Sequence, residues 1–492
     1  MRKPPVPSPR LADAVAVHGH LRPHETALIH DDRAVTYGEL SDLTQNFRHH
    51  LLELRLPAGS TVCVPAHKTP ETIALLLAVF HEGLVALSPT PDLGPAALER
   101  LSQQARATQV LTASDALRAE PVSADEQEAA GFAAADPGRS CLLLTTSGST
   151  GTPKIVPIAA AGFEAFASWA TDEFALSSGD VALSYAPLNF DLALLDIWTF
   201  LRLGAQVVLV DQGRATDGPY VQGLVTKHAV TFVQGVPMLY RLLVDDGSAN
   251  PAVRQVIFTG DSVPDSLLAL VSAAFPRARF HNVFGCTETN DSFIHEVDPA
   301  TQTGKMPIGR PIAGTDALIS DPDGAIVRSA GAGELLVATP FQTDGYLDAA
   351  LNAEAFTVID GRTFYRTGDL VTRDESGLYS LQGRADWQVK VRGVRTNLQE
   401  VERVIAAHPD VVEAVVVPLP DEQAGVRLHA HVSRRPSSAL TGLRLRTHAG
   451  QNLPRHAIPT SVHITDTPLP RTSTGKPDRN LIKSNRLKEI HP

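Results

Sequence analysis

Cysteine, methionine and tryptophan are scarce, at three of each in 492 residues. Cys63, Cys141 and Cys286 stand at no paired or ligand-like spacing. That argues against a disulfide framework and a thiolate zinc site, and suits a reducing, cytoplasmic setting. No apolar run approaches the ~20 residues that a membrane-crossing helix needs, so no membrane partner is expected. The N-terminal MRKPPVPSPR has no apolar segment behind it, so a secretory signal is not expected. There is no long basic run, and the net charge is −11. Sequence-independent nucleic-acid binding is therefore disfavoured. No internal repeat or low-complexity tract stands out.

What is present reads as a globular protein of more than one domain. The length exceeds what one core supports, and 43% hydrophobic with 20% charged residues is ordinary for such a chain. AVTYGELSDLTQNFRHHLLEL places Thr36 and Glu39 at capping-box spacing, with Leu40, Leu43, Phe47 and Leu51 on one helical face. TVCVPA reads as a strand, and TPETIALLLAVFHEG as a buried helix stopped at Gly83. Further strands and helices alternate as far as FGCTET, which predicts an α/β fold with parallel, helix-flanked sheets. Residues 113–138 read as a surface excursion. From about Thr315 the pattern changes to short strands and turns, a β-rich subdomain. Beyond Gln382 a compact α+β unit follows.

The densest chemistry lies in TTSGSTGTPKIV, residues 145–156. It follows the apolar run Cys141, Leu142, Leu143, Leu144, which reads as a buried strand. Its glycines allow close backbone approach to a ligand. Six hydroxyls and the Lys154 ammonium offer donors to phosphate oxygens. Walker A spacing is absent, so this is a polyphosphate cradle of another kind. A plain Ser/Gly linker has similar composition, but a linker has no reason to leave a buried strand and end on Pro153 and Lys154. In open α/β sheets ligands sit at the carboxyl ends of strands. That directs attention to residues 189–191, Gln234, Gly260, Asp261 and 284–288.

This stretch resembles the phosphate loop of the adenylate-forming superfamily, which includes acyl-CoA synthetases, aryl-acid ligases and amino-acid adenylation domains. Ile155 and Thr145 depart from the usual pattern. Other segments agree in order along nearly the whole chain: NVFGCTETN, TGDS, YRTGDL, GRADWQVKVRG, LPRHAIP and PRTSTGKPDR. The resemblance implies ATP and Mg²⁺ as cofactors. It assigns nucleotide binding to Thr146, Ser147, Gly148, Ser149, Thr150, Gly151, Lys154, Gly260, Asp261, Phe284, Asp369 and Arg384. Phe284 would offer a flat face to adenine, and Asp369 would accept from both ribose hydroxyls. Thr287 would touch a phosphate, and Glu288 would supply an oxygen to Mg²⁺. Lys476 would bridge the substrate carboxylate and the α-phosphate, and Asp386 would be a hinge. The implied division is residues 1–385, an adenylation core, and 386–492, a small mobile lid domain carrying Lys476. Cys286 and ATPFQTDGY depart from the family pattern without removing a catalytic side chain.

Phe190 and Asp191 resemble the pair that, in amino-acid adenylation domains, meets the substrate α-ammonium. The plainer reading makes Asp191 the N-cap of a helix over LALLDIW. By the same resemblance the substrate pocket comprises Asp191, Leu192, Leu195, Gln234, Ile257, Thr259, Val283, Asp291, Ser292 and Lys476. The opening Asp-Leu-Leu and the TETN segment look like the freestanding proline-adenylating ligases. Gln234, Asp291 and Ser292 depart from an apolar pocket. A second carboxylate suggests an added amine, hydroxyl or ring NH, hence a small polar, hydroxylated, cyclic or basic amino acid. The expected partners are that amino acid and a separate peptidyl or acyl carrier protein, since no carrier domain is appended. Alternatives that stay open are a CoA ligase for acyl or aryl acids, a D-alanyl carrier protein ligase, a β-amino-acid adenylating enzyme, and a nucleotide-binding protein that kept only the fold.

Overall fold

The structure is a computed structural model describing residues 11–114, 116–125, 127–136, 140–146, 153–384, 388–421, 425–435, 438–471 and 477–490. The described residues fall into two compact units. The larger takes residues from Met1–Pro89, Ser102–Leu144 and Ile155–Gln382, and the smaller from Thr90–Leu101, Thr145–Lys154 and Gly383–Pro492.

Two mainly parallel sheets organise the larger unit. The nine-stranded sheet runs, in spatial order, Arg310–Pro311, Asn290–Val297, Arg279–Cys286, Gln255–Phe258, Phe232–Gly235, Val181–Ser184, Gln206–Leu209, Thr26–His30 and Arg33–Thr36. Its centre is parallel and its edges are antiparallel. The six-stranded sheet contains Thr61–Cys63, Val85–Leu87 and Ser140–Thr146 as parallel neighbours. Residues 113–138 are not solely an excursion: Leu117–Pro121 pairs antiparallel with Ala107–Ala113 and closes that sheet's edge.

Helix signals in the sequence act where they stand. Thr36 accepts from the Glu39 backbone N–H at 3.2 Å, and the Glu39 carboxylate accepts from the Thr36 N–H at 2.8 Å. The helix Tyr37–Glu53 then buries Leu40, Phe47 and Leu51. Thr69 caps the helix Pro70–His81, whose middle is buried on all sides, as expected for a helix enclosed by other elements. Gly83 takes φ +66° just beyond its end, a conformation glycine adopts without a Cβ penalty. One apolar core draws on Leu28, Val207, Phe232 and Ile257 of the first sheet and Val62, Ala86 and Leu142 of the second.

The β-rich part is an antiparallel sheet of Asp316–Ser320, Ile326–Val327, Gly331–Ala338, Phe356–Ile359, Arg362–Arg373 and Tyr379–Arg384. In the smaller unit Val411–Asp421, Gly425–Arg434 and Ser461–Thr465 form a three-stranded sheet. Leu398–Ala406, capped by Asn397, packs Val401 and Ile405 against Val416 and Leu428. Arg479–Ile490 places Ile482 against Val415, Val417 and Leu419. No helix among the described residues is long and apolar enough to cross a membrane. Replacing the capping-box threonine, Thr36→Ala, should lower stability by about 1 kcal/mol. Chemical denaturation reads this, and an unchanged midpoint would mean the cap contributes nothing.

Candidate active site

Strand alternation sends successive side chains to opposite faces, and this sorts the carboxyl ends of the large sheet. Phe232, Ile257 and Val283 point into the core shared by the two sheets, while Val233, Val256 and Phe258 point to the other side. Gln234 and Thr259 follow the first set by period two, and both are buried. The Gln234 Oε1 has no hydrogen-bond partner among the described residues.

Asp291 joins this face through a break in register. Arg279–Cys286 does not lead into a helix, as strand-helix alternation predicts, but turns at residues 287–289 into the antiparallel strand Asn290–Val297. Phe284 pairs with Phe293 and Gly285 with Asp291, so Ser292 is the extra residue of a bulge. Bulges re-aim side chains in this way. Ser292 Oγ bonds Thr289 Oγ at 2.9 Å and donates to the Asn290 carbonyl at 3.1 Å, so its polar atom is committed within the turn. Asn290 sits at φ +55°, a region asparagine tolerates. A Cβ at Gly285 would run into the Asn290 carbonyl.

Asp191 lies in a turn where the Leu194 N–H donates to its carbonyl at 2.9 Å. The following π-helical segment Leu194–Thr199 has Ala193 at its N-cap, with no side-chain cap bond. The N-cap position of that segment is thus Ala193 and not Asp191. Its charge is felt at Asp291: burial first, and the Asp191 carboxylate second, push the Asp291 carboxyl up to about 7. Leu192 is half-buried, and Leu195 belongs to the main core.

A second cluster gathers residues assigned to the nucleotide. Glu288 is buried. Its Oε1 accepts from the Tyr346 hydroxyl at 2.6 Å, and its carbonyl accepts from the Thr343 N–H at 2.9 Å. The Tyr346 and Tyr365 hydroxyls lie 3.2 Å apart. Burial and the Glu288 charge raise the Tyr346 phenol pKa, keeping it a donor. Four residues beyond Tyr365, Asp369 leaves its strand at another irregularity. Leu336 pairs with Arg366 and Glu334 with Leu370, so three residues stand opposite Leu335. Gly368 takes φ +70° there. The Thr367 hydroxyl donates to the Leu335 carbonyl at 2.9 Å and accepts from the Asp369 N–H at 3.0 Å. Phe284 is largely buried, edge-on to Phe293. Gly260 turns at φ +83°, and the Asp261 carboxylate accepts from the Ser262 N–H at 2.7 Å. Thr287 lies half-buried in the hairpin turn.

Thr146 and Lys154 end and begin neighbouring strands of the six-stranded sheet. Arg384 is the last residue of Tyr379–Arg384. Ser147, Gly148, Ser149, Thr150, Gly151, Asp386 and Lys476 lie outside the described residues. Among the described residues no group of three or more His, Cys, Asp or Glu side chains could hold a metal. The Glu288 carboxylate, oriented by Tyr346, still fits Mg²⁺, which takes one or two protein carboxylates and completes its shell from phosphates and water.

Comparison with known proteins settles the family. The AMP-binding enzyme model matches residues 15–347, and the AMP-binding enzyme C-terminal domain model matches residues 400–476. The chain belongs to the AMP-binding enzyme family. It is 30% identical over 487 residues to an L-proline--[L-prolyl-carrier protein] ligase of Pseudomonas fluorescens, covering 93% of this chain and 95% of that one. It is 28% identical to a D-alanine--D-alanyl carrier protein ligase of Lactiplantibacillus plantarum, covering 97% and 98%. An amide bond synthetase of Marinactinospora thermotolerans superposes with a TM-score of 0.83 over 97% of this chain and 99% of that one, at 23% identity. That likeness shows a common fold.

This AMP-binding enzyme carries two buried ionisable groups, Lys68 and Asp196, that sequence reading missed. The Lys68 ammonium donates to the carbonyls of Ser184 at 2.5 Å and Ala186 at 2.6 Å, where a central strand runs into the Asp191 turn. Asp196 is fully buried in the π-helical segment after that turn. Burial lowers the Lys68 ammonium and raises the Asp196 carboxyl, and each one's charge works against that shift in the other. Lys68 thus braces the start of the segment presenting Asp191, and Asp196 couples to it electrostatically from beyond the turn. Neither has a motif spacing, and only the fold brings them together. Lys68→Met should cost about 3–5 kcal/mol by stranding a buried carboxylate, and Lys68→Met with Asp196→Leu should recover most of it. Denaturation midpoints decide; a stable single variant would remove the brace.

Asp291 gives a pH test. Pushed up to about 7, its carboxyl lies well above the ordinary carboxylate value of 3.8. The stability it contributes is complete below about pH 4 and is lost as pH rises through about 7. Asp291→Asn lacks this loss, so its stability should rise relative to the parent between pH 4 and 7. A difference constant over that interval would show that Asp291 ionises normally.

Proposed function

We propose that the chain activates an amino acid with ATP and passes it to a carrier-protein thiol. The observation that carries this is Asp191, in the turn beyond the carboxyl end of a central strand and close enough to Asp291 for its charge to oppose ionisation there. Two neighbouring half-buried carboxylates are costly unless a cation meets them, and an amino acid brings an ammonium. A fatty or aryl acid brings none. The carrier-protein ligase names of the two full-length relatives support the second half-reaction.

The residues act by positioning and by charge complementarity. A substrate carboxylate oxygen forms a bond to the α-phosphorus as the bond from that phosphorus to the bridging oxygen breaks, and pyrophosphate leaves. Lys476 balances the charge growing at the α-phosphate. Asp369 holds the ribose diol, and Glu288 would hold the magnesium ion that, when bound, would neutralise phosphate charge. The carrier thiolate then adds to the acyl carbonyl, and AMP leaves. In this reading residues 1–385 form the adenylation core, residues 386–492 form the lid, and Asp386 is the hinge between them. Three cysteines without disulfides and the need for ATP favour the cytoplasm.

Amino-acid-dependent pyrophosphate exchange tests this directly. One amino acid should support exchange, and Lys476→Ala should lower it by about 10²-fold or more. Exchange supported by fatty or aryl acids, and by no amino acid, would overturn the reading.

A further inference from the structure

We propose that the acid activated is a short diamino acid: its α-ammonium meets Asp191, and a second ammonium, one or two carbons beyond the α-carbon, meets Asp291. This rests on the amino-acid reading above and narrows it to one substrate class.

Three observations carry it. The bulge at Ser292 turns Asp291 onto the face that holds Gln234, Ile257, Thr259 and Val283, and ties Ser292 away. Gln234 is buried on that face with an Oε1 that has no hydrogen-bond partner among the described residues. An acceptor left so is unfavourable unless a ligand satisfies it. The same pocket face thus carries the Asp291 carboxylate and, with two strands between them, a second acceptor open to a polar substrate.

The third observation is the repulsion between the two carboxylates, which opposes ionisation of Asp291. A substrate with one ammonium discharges Asp191 and leaves Asp291 protonated or uncompensated. Two ammonium groups discharge both. The carboxylates feel each other, so the two cations they meet belong to one small substrate. Full-sized Leu192, Leu195, Gln234 and Ile257 at the predicted pocket positions, where glycine or alanine would leave depth, also favour a short side chain. Lysine places its second ammonium too far along.

Isosteric pairs in pyrophosphate exchange provide the test. 2,4-Diaminobutyrate is compared with norvaline and 2,3-diaminopropionate with 2-aminobutyrate, beside proline, D-alanine and lysine. The expected result is a kcat/KM at least tenfold higher for one diamino acid than for its isostere, with Asp291→Asn cutting that ratio at least tenfold through KM. A best substrate with a single ammonium, or lysine as the best substrate, would overturn the diamino proposal and leave amino-acid activation standing. Exchange with no amino acid at all would overturn both. The parent comparison does not depend on the variant folding.

Discussion

Strand register is the constraint on which the site depends. A regular strand directs alternate residues to fixed faces, so a carboxylate reaches a ligand-binding edge only where the count allows. Here the count is altered twice. One extra residue at Ser292 puts Asp291 on the inward face of the parallel sheet. Three residues opposite Leu335, with Gly368 in the left-handed region, release Asp369 from the β-rich sheet. Both irregularities are closed by hydroxyls bonded within the turn, Ser292 with Thr289 in one and Thr367 in the other. Such local satisfaction spares buried backbone from going unpaired.

Around these breaks the larger unit supplies stiffness from distant parts of the chain. Tyr346, from a stretch that departs from the family pattern, orients Glu288 and reaches Tyr365. Three segments separated by 58 and 19 positions are thereby tied at one carboxylate. Lys68 does the same for the Asp191 turn from inside the core, with a desolvation cost that its two carbonyl bonds and the Asp196 charge offset. Groups that must meet a ligand in one geometry are held by partners that never touch it.

Much of the fold was legible because its signals are local. The Thr36 capping box, the Gly83 stop and the apolar face of Leu40, Phe47 and Leu51 each act within a few residues, and the strand-helix alternation follows from them. The motifs at Glu288, Asp369 and Asp191 were legible as resemblances. What composition and period could not carry was register. Reading residues 284–288 as one more strand-helix turn failed because an antiparallel partner, Asn290–Val297, competes with a helix for the same backbone groups. The sequence could not show that the segment after Asp191 winds as a π-helix over Leu194–Thr199, which puts Ala193 and not Asp191 at the N-cap position. Lys68 and Asp196 stayed invisible because 128 positions separate them and neither lies in a charge pattern.

Gly285 bears on how the pocket can change over time. It lies on the inward face beside Val283 and directly opposite Asp291, where a larger residue would seem the simplest way to reshape the cavity. Yet any side chain there collides with the backbone of residues 290 and 291, which is not free to yield like a side-chain tip. New specificities in this lineage must therefore arise by exchanging residues around a frozen glycine. A mutational library that randomises position 285 along with its neighbours would be filled mostly with chains that have lost the hairpin.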